Sequence, residues 1–327
     1  MPDQSDDATE RQLIAQIARR FYLEDDSKVA IARDTGLSRF KVARLLASAR
    51  EQGIVRIEIL EPTTDLPMFS APLARHLGLH AARVIDSIGS RAEVRAQLGA
   101  MGAQYLSERI EPGETFGMSW GRTMVEVARH LPAIEMVTAV QLSGTVREIG
   151  PQSPIETIRE RIEARGGSAH PIYDPLYVGE SAERQRRIAG LNYVLGLFEH
   201  LNTAVLSIGS WNPPTTQLRA QIPPILRARL DESQPAAELA GIWLGADGTV
   251  MCPEITRQCI TVATHHLLNT PEVLVVAGGE DKAEAIAACA RSGLITSLVT
   301  DRVTAERLLA GKAVRRTALT RPHPPRS

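Results

Sequence analysis

Four short strings share one chemical logic: an apolar run ends in glycine, with a hydroxyl beside it in three of the four. They are TFGMSWGRTM, with Ser119, Gly121 and Thr123; QLSG, with Ser143 and Gly144; SIGS, with Gly209 and Ser210; and VVAGGEDKAEAI, with Gly278, Gly279 and Lys282. A small-residue turn entering a helix N-terminus presents unpaired backbone N–H groups and hydroxyls, which suits an anion. Lys282 falls in the first turn of its helix, where a cation opposes the macrodipole unless an anion lies nearby. Each string alone is no more than a tight turn; together they predict a pocket for the phosphate of a small molecule. Asp247 in GADGTV adds a carboxylate able to accept from sugar hydroxyls, while Asp-Gly is equally a surface turn.

Other reactive side chains carry less. His265 and His266 are adjacent, so a helix separates them by 100°, and they read as packing and surface residues rather than metal ligands. Cys252, Cys259 and Cys289 show neither an even count nor a C-x-x-C spacing and read as small buried residues. No metal site or cofactor is expected.

A second chemistry lies near the N-terminus. Between Lys28 and Arg56 stand seven cations against two acids, whereas the first 27 residues hold three cations and seven acids. The formal net charge of -1 hides this concentration. A short basic segment of this kind is an electrostatic footprint for phosphates.

The elements that must position these groups follow from periodicity. Ile14, Ile17, Ala18 and Phe21 share one face of a first helix, and a short helix covers Lys28 to Asp34. Gly36 suits the positive φ of a tight turn, and Ser38 an N-cap. The next helix places Val42, Leu45, Leu46 and Ala49 on one stripe, leaving Arg39, Phe40, Lys41 and Arg44 clear of it. This is the pattern of a helix-turn-helix whose second helix enters the major groove, with Lys28, Ser38, Arg39, Phe40, Lys41 and Arg44 as the DNA-binding candidates. IVRIEIL alternates as a strand that would form a wing. Pro62, Pro67 and Pro72 exclude a continuing helix or central strand and mark a linker.

From residue 73 to 318 the chain alternates apolar runs with amphipathic helices. Strands are expected at ARVIDS, TFGMS, VTAVQLSG, TAVLSIGS, AELAGIWLG, EVLVVAGG and ITSLVTD. Helices are expected near 90–109, 121–131, 155–165, 181–200, 214–230, 255–268, 281–292 and 303–311. Such alternation predicts a mainly parallel α/β sheet covered on both faces, with ligands at the carboxyl ends of its strands. The domain reading is 1–60 helix-turn-helix, 61–72 linker, 73–318 α/β domain with an anionic small-molecule site, and 319–327 basic tail. Aromatic residues make up only 4% of the chain, so aliphatic side chains must build the core. The sequence holds no apolar run long enough to span a membrane, and its acidic, polar start is unlike a signal peptide, so a cytoplasmic protein is expected.

The chain resembles the SorC family of sugar-responsive bacterial transcriptional regulators, also called the DeoR-type sugar-binding family. The resemblance rests on KVAIARDTGLSRFKVARLLASAREQGIVRIEI, GMSWGRTM, VQLSG and, most specifically, VLVVAGGEDKAEAIAACARSGLITSLVTDRVTAERLL. It implies that 73–318 is an effector-binding and oligomerisation domain, related in fold to phosphosugar isomerases but not catalytic, with operator DNA as partner, a phosphorylated sugar or polyol as effector, and a homotetramer. Carried onto this chain, the phosphate lies against Ser119, Gly121, Arg122, Thr123 and Lys282, with Gly278 and Gly279 allowing close backbone approach. Trp120, Ser143, Gly144, Gly209, Ser210 and Asp247 complete the expected effector-binding set. Some relatives carry a lysine that forms a Schiff base where this chain has Ser143, so no covalent adduct is expected there.

Two alternatives stay open. An active isomerase or deaminase needs a positioned acid and base, for which Asp247 is the one candidate named. A protein-binding adaptor without DNA affinity would lack the steep salt dependence of phosphate binding.

Overall fold

Ser27, Gly36 and Ser38 punctuate the N-terminal unit. The computed structural model describes residues 4–55, 64–146 and 153–315. The chain divides into two compact units, Met1–Glu61 and Pro62–Ser327. In the first, α1 (Gln4–Tyr22), α2 (Lys28–Thr35) and α3 (Arg39–Glu51) pack around Ile14, Ile17, Ala18, Ile31, Val42, Leu45, Leu46 and Ala49. The Ser27 hydroxyl accepts from the Ala30 amide and the Ser38 hydroxyl from the Lys41 amide, so each short helix starts with an orphan N–H satisfied. Gly36, at φ 70°, makes the left-handed turn between them. Arg20 bonds both Asp26 and Asp34, tying α1 to the loop before α2 and to its last turn. The expected wing covers residues 54–60, of which Ile54 and Val55 pack against the helical core as a bend; its residues 56–60 and the expected basic tail, 319–327, lie outside the described residues.

The second unit opens with a correction. Pro67–Leu77 is helix α4, so the linker reading fails from residue 67 onward. Pro67 occupies the first turn, where its missing N–H costs nothing. Pro72, inside the helix, removes a hydrogen bond at about 3 kcal/mol. Full burial of Leu73 and Leu77, at roughly 1.5–3 kcal/mol each, offsets this.

The remaining helices are α5 (Arg91–Ser107), α6 (Arg122–His130), α7 (Pro154–Glu163), α8 (Ala182–Arg186), α9 (Ala189–Gly196), α10 (Pro224–Ser233), α11 (Pro253–Thr256), α12 (Thr264–Asn269), α13 (Ala283–Ser292) and α14 (Arg302–Ala310). The strands are β1 (Ala81–Ile85), β2 (Thr115–Met118), β3 (Thr138–Gln141), β4 (Ser168–His170), β5 (Thr203–Leu206), β6 (Ala237–Leu239), β7 (Ile242–Leu244), β8 (Val250–Met251), β9 (Glu272–Val276) and β10 (Ser297–Asp301). Seven of them form one sheet in the order β1-β10-β9-β5-β2-β3-β4, with every pairing parallel. Strand residues alternate between two cores. Phe116, Val205, Leu274 and Val276 pack with α5, α6 and α7, while Ala204, Leu206, Val273 and Val275 pack with α4, α9, α12 and α13.

Four expectations fail for local reasons. AELAGIWLG is not a strand of the main sheet. Ala240 and Gly241 both take positive φ, 49° and 83°, the pair a tight hairpin turn requires. They fold β6 against β7, and β8 completes a separate antiparallel sheet. The helix expected over 214–230 begins only at Pro224, because Pro223 and Pro224 hold the preceding backbone extended. The helix expected over 255–268 splits into α11 and α12, since Cys259 to Thr261 run as an extended segment bridged to Tyr177 and Ser143. The 181–200 stretch likewise breaks into α8 and α9. β4, three half-buried residues on the sheet edge, carries no apolar run to announce it.

Candidate functional site

From β2 the chain passes to β3 on one side of the sheet, and from β5 to β9 on the other. The adjacent carboxyl ends of β2 and β5 therefore bound the crevice where parallel sheets bind ligands. The two exits are drawn together: the Ser119 hydroxyl accepts from the Ser207 amide at 3.3 Å, and the Ser119 amide donates to Val205 O at 3.0 Å. A Cβ on Gly121 would stand 2.5 Å from Ser207 Oγ, so only glycine lets these loops approach. The neighbouring Ser143 hydroxyl accepts from the Trp120 amide at 3.2 Å.

Above this junction lies a cavity of about 90 Å³, lined among others by Trp120, Gly121, Arg122, Thr123, Ser143, Gly209, Glu238 and Lys282. A larger cavity, about 670 Å³, is lined by Ser90, Arg91, Gly278, Gly279 and Asp301. Arg95, Arg122, Thr123, Thr215 and Lys282 line both, forming a shared wall that holds three cations. None of the three is in an ion pair among the described residues. Lys282 donates from Nζ to Ile208 O at 2.7 Å, at the exit of β5. Burial pulls its ammonium below the usual lysine range; Arg122 and Arg95 push the same way, Asp281 and Glu238 against. Burial likewise lowers the Arg95 guanidinium, with the Arg122 charge adding to it.

Glu238, on β6, is the carboxylate of the smaller cavity. Its oxygens accept from the Gly241 amide at 2.6 Å and the Thr216 hydroxyl at 2.9 Å. Burial pushes its carboxyl above the ordinary carboxylate range, although those two donors and Lys282 oppose the shift.

Several expected site residues have other work. Asp247 is exposed in the β7–β8 turn, outside both cavities, where its carboxylate accepts from the Thr249 amide and hydroxyl. Those bonds hold it below the usual carboxylate range. Ser210 shares its hydroxyl with Pro213 O and Thr215 Oγ1, bracing the loop before Thr216. Gly144 sits where a Cβ would stand 2.6 Å from Asp174 O, making it a packing glycine. Ser119 is buried beneath the cavity rather than lining it. Gly278 and Gly279 line the larger cavity, and the Gly279 amide already donates to Asp301 Oδ2 at 2.7 Å. Arg95, Glu238, Thr215 and Thr216 escape a reading of the sequence. A lone glutamate inside the apolar run AELAGIWL is the one legible signal among them; the direction of Arg95 depends on how α5 packs.

Glu199, His265 and His266 bring ligating atoms within 4.8 Å of one another. The Ala263 amide donates to His266 Nδ1 at 3.1 Å, which leaves the ring proton on Nε2, directed to Glu199 Oε1 at 3.0 Å. A neutral ring so engaged has no lone pair left for a metal.

On α3, Arg39, Phe40, Lys41 and Arg44 are all exposed, Phe40 at 86%. The three cationic side chains have no ion-pair partner among the described residues. Ser38 serves as the cap described above. Lys28 stands over the Phe21 ring, its Nζ 5.4 Å from the centroid, so part of its charge is engaged within the unit.

A three-helix unit with a bare basic helix, joined to a parallel α/β domain with a cationic crevice, defines the class of ligand-responsive DNA-binding proteins. The particular family follows from comparison: residues 62–310 match the family described as Putative sugar-binding domain, and the chain belongs to it. It is 30% identical over 314 residues to the transcriptional regulator LsrR of Enterobacter sp. (strain 638), covering 92% of this chain and 94% of that one. It is 27% identical over 311 residues to the deoxyribonucleoside regulator of Bacillus subtilis (strain 168), covering 93% and 99%. Its fold is similar to the full-length sorbitol operon regulator SorC of Klebsiella pneumoniae, with TM-score 0.68, 23% identity, and 91% and 98% of the two chains covered. No described helix is long and apolar enough to cross a membrane.

Proposed function

We propose that this chain is a transcriptional regulator that binds operator DNA through α3 and responds to a phosphorylated sugar or polyol held in the crevice beyond β2 and β5. The observation that carries the effector half is the convergence of Arg95, Arg122 and Lys282 on one wall without an ion-pair partner among the described residues. Partly buried Arg95 and Lys282 and exposed Arg122 repel one another, and a dianionic phosphate is the ligand whose charge relieves this. Glu238, Thr216 and Ser143 offer hydrogen-bonding groups of the kind that sort sugar hydroxyls. Phosphorylation of the effector, a cytoplasmic setting and a homotetrameric assembly belong to this proposal. Two α3 helices about 34 Å apart would then enter successive major grooves.

Thermal shift against phosphorylated sugars and polyols, each beside its unphosphorylated form, tests the effector half. A ligand at 100 times its Kd adds about 2.7 kcal/mol, and the phosphorylated member of a pair should raise Tm alone. Equal shifts from both members would remove the phosphate from the proposal. The isomerase reading has one observation behind it, the carboxyl of Glu238 in the cavity. Each of its oxygens already accepts one hydrogen bond, from Gly241 or Thr216, no second carboxylate or histidine lines that cavity among the described residues, and the regulators to which the chain is similar along its length weigh for sensing. Turnover of a sugar phosphate by the purified protein would reverse that judgement.

A further inference from the structure

Phe40 is the most exposed of the large apolar side chains on the described helix-turn-helix residues, at 86%, above Leu23 at 77% and Val29 at 61%. It occupies the second position of α3, one turn before Arg44 and flanked by Arg39 and Lys41. The three cations can satisfy themselves in water or on phosphate; a phenyl ring gains nothing from either. Its apolar surface is rewarded only where the ligand offers an apolar group. In the major groove of B-DNA that group is the C5-methyl of thymine, and the N-terminal residues of a recognition helix are those that reach base edges.

We infer that Phe40 is a specificity-determining residue that reads a thymine methyl group in each operator half-site. The inference rests on the DNA-binding reading above. Phe40 and Arg44 are four residues apart, about 6 Å along the helix axis. A guanidinium at Arg44 pairs bidentately with guanine O6 and N7. The methyl that Phe40 contacts therefore lies within about two base-pair steps of the guanine that Arg44 reads, at a rise of about 3.4 Å per step.

The test uses the full chain and a duplex enriched from random sequence by repeated selection for binding. Each thymine of the selected duplex is replaced singly by deoxyuridine, which removes the methyl and leaves base pairing intact. At one symmetry-related position the wild-type protein should lose affinity about fourfold, the value of one buried methyl group. Phe40→Ala should bind thymine and uracil duplexes equally, and Phe40→Leu should retain the discrimination in reduced form. Because Phe40 is exposed, Phe40→Ala should keep the wild-type Tm. Wild-type protein indifferent to every uracil substitution overturns the inference, as does a Phe40→Ala protein that discriminates as well as wild type. A ring wedged between base steps would give the first of these results. Failure to enrich any duplex strikes the regulator reading itself, and the two failures are told apart by whether a selected sequence exists.

Discussion

Gly209 and Glu238 exchange both of their backbone hydrogen bonds, at 2.9 and 2.8 Å, so the exit of β5 is stitched to the small antiparallel sheet. The stitch leaves no room for a side chain. A Cβ on Gly209 would stand 2.7 Å from Glu238 Oε2 and 2.8 Å from Thr216 Cβ. Gly209→Ala should therefore cost ~1–3 kcal/mol by overpacking and weaken ligand binding. Gly196→Ala, with open space around its Cβ, should be neutral or stabilising. Urea unfolding of both variants distinguishes a packed glycine from a merely helical one.

Lys282 supplies the second prediction. Replacing it by methionine keeps the stem and removes an ammonium whose burial is unfavourable, so the ligand-free protein should not lose stability on that account. Affinity for a phosphorylated ligand should fall roughly 10- to 100-fold, the worth of a hydrogen bond to a charged group. Calorimetric titration reads the affinity, and an unchanged Kd would remove Lys282 from the site.

Arg44→Ala should weaken binding to a selected duplex by ~1–3 kcal/mol and relax base preference at one position. Phosphorylated-ligand affinity should be untouched. The wild-type complex should lose affinity steeply between about 50 and 200 mM salt, with a log-log slope near -0.9 per phosphate contacted. A shallow slope would favour a protein-binding adaptor.

A pH dependence follows from His266. Burial lowers its imidazole below the ordinary histidine value of 6.5, only partly offset by Glu199. The folded state thus prefers the neutral ring, and protonation would cost the Ala263 hydrogen bond at Nδ1. A folded value below the unfolded one means that this contribution is complete above the ordinary value and is lost as pH falls through the folded value. His266→Gln should flatten the decline of Tm with acidification in that window.

Much of this was legible in the residues. Helix caps and turn glycines are local events, which is why Ser38 and Gly36 could be placed from sequence, and parallel strands buried on both faces read as apolar runs. What sequence concealed depends on tertiary direction. Arg95 sits on a helix whose rotation is fixed by packing against α6, and the β6–β7 hairpin turns on two consecutive positive φ values that Ala240 gives no hint of. Asp247 resembles a pocket residue because its string reads like a strand end; its carboxylate closes its own turn instead. Pro72 misleads because a proline is read as a helix breaker even where buried leucines outweigh it.

Helices α5 and α6 touch so closely that a Cβ on Gly99 would overlap the backbone and Cβ of Glu126. Steric fit, not attraction, is what brings the guanidinium of Arg95 near that of Arg122. Packing thus holds two like charges on one wall, and a guest bearing two negative charges would offset their repulsion. Inorganic sulfate should imitate the natural guest in miniature, raising Tm at millimolar levels where chloride of equal ionic strength does nothing.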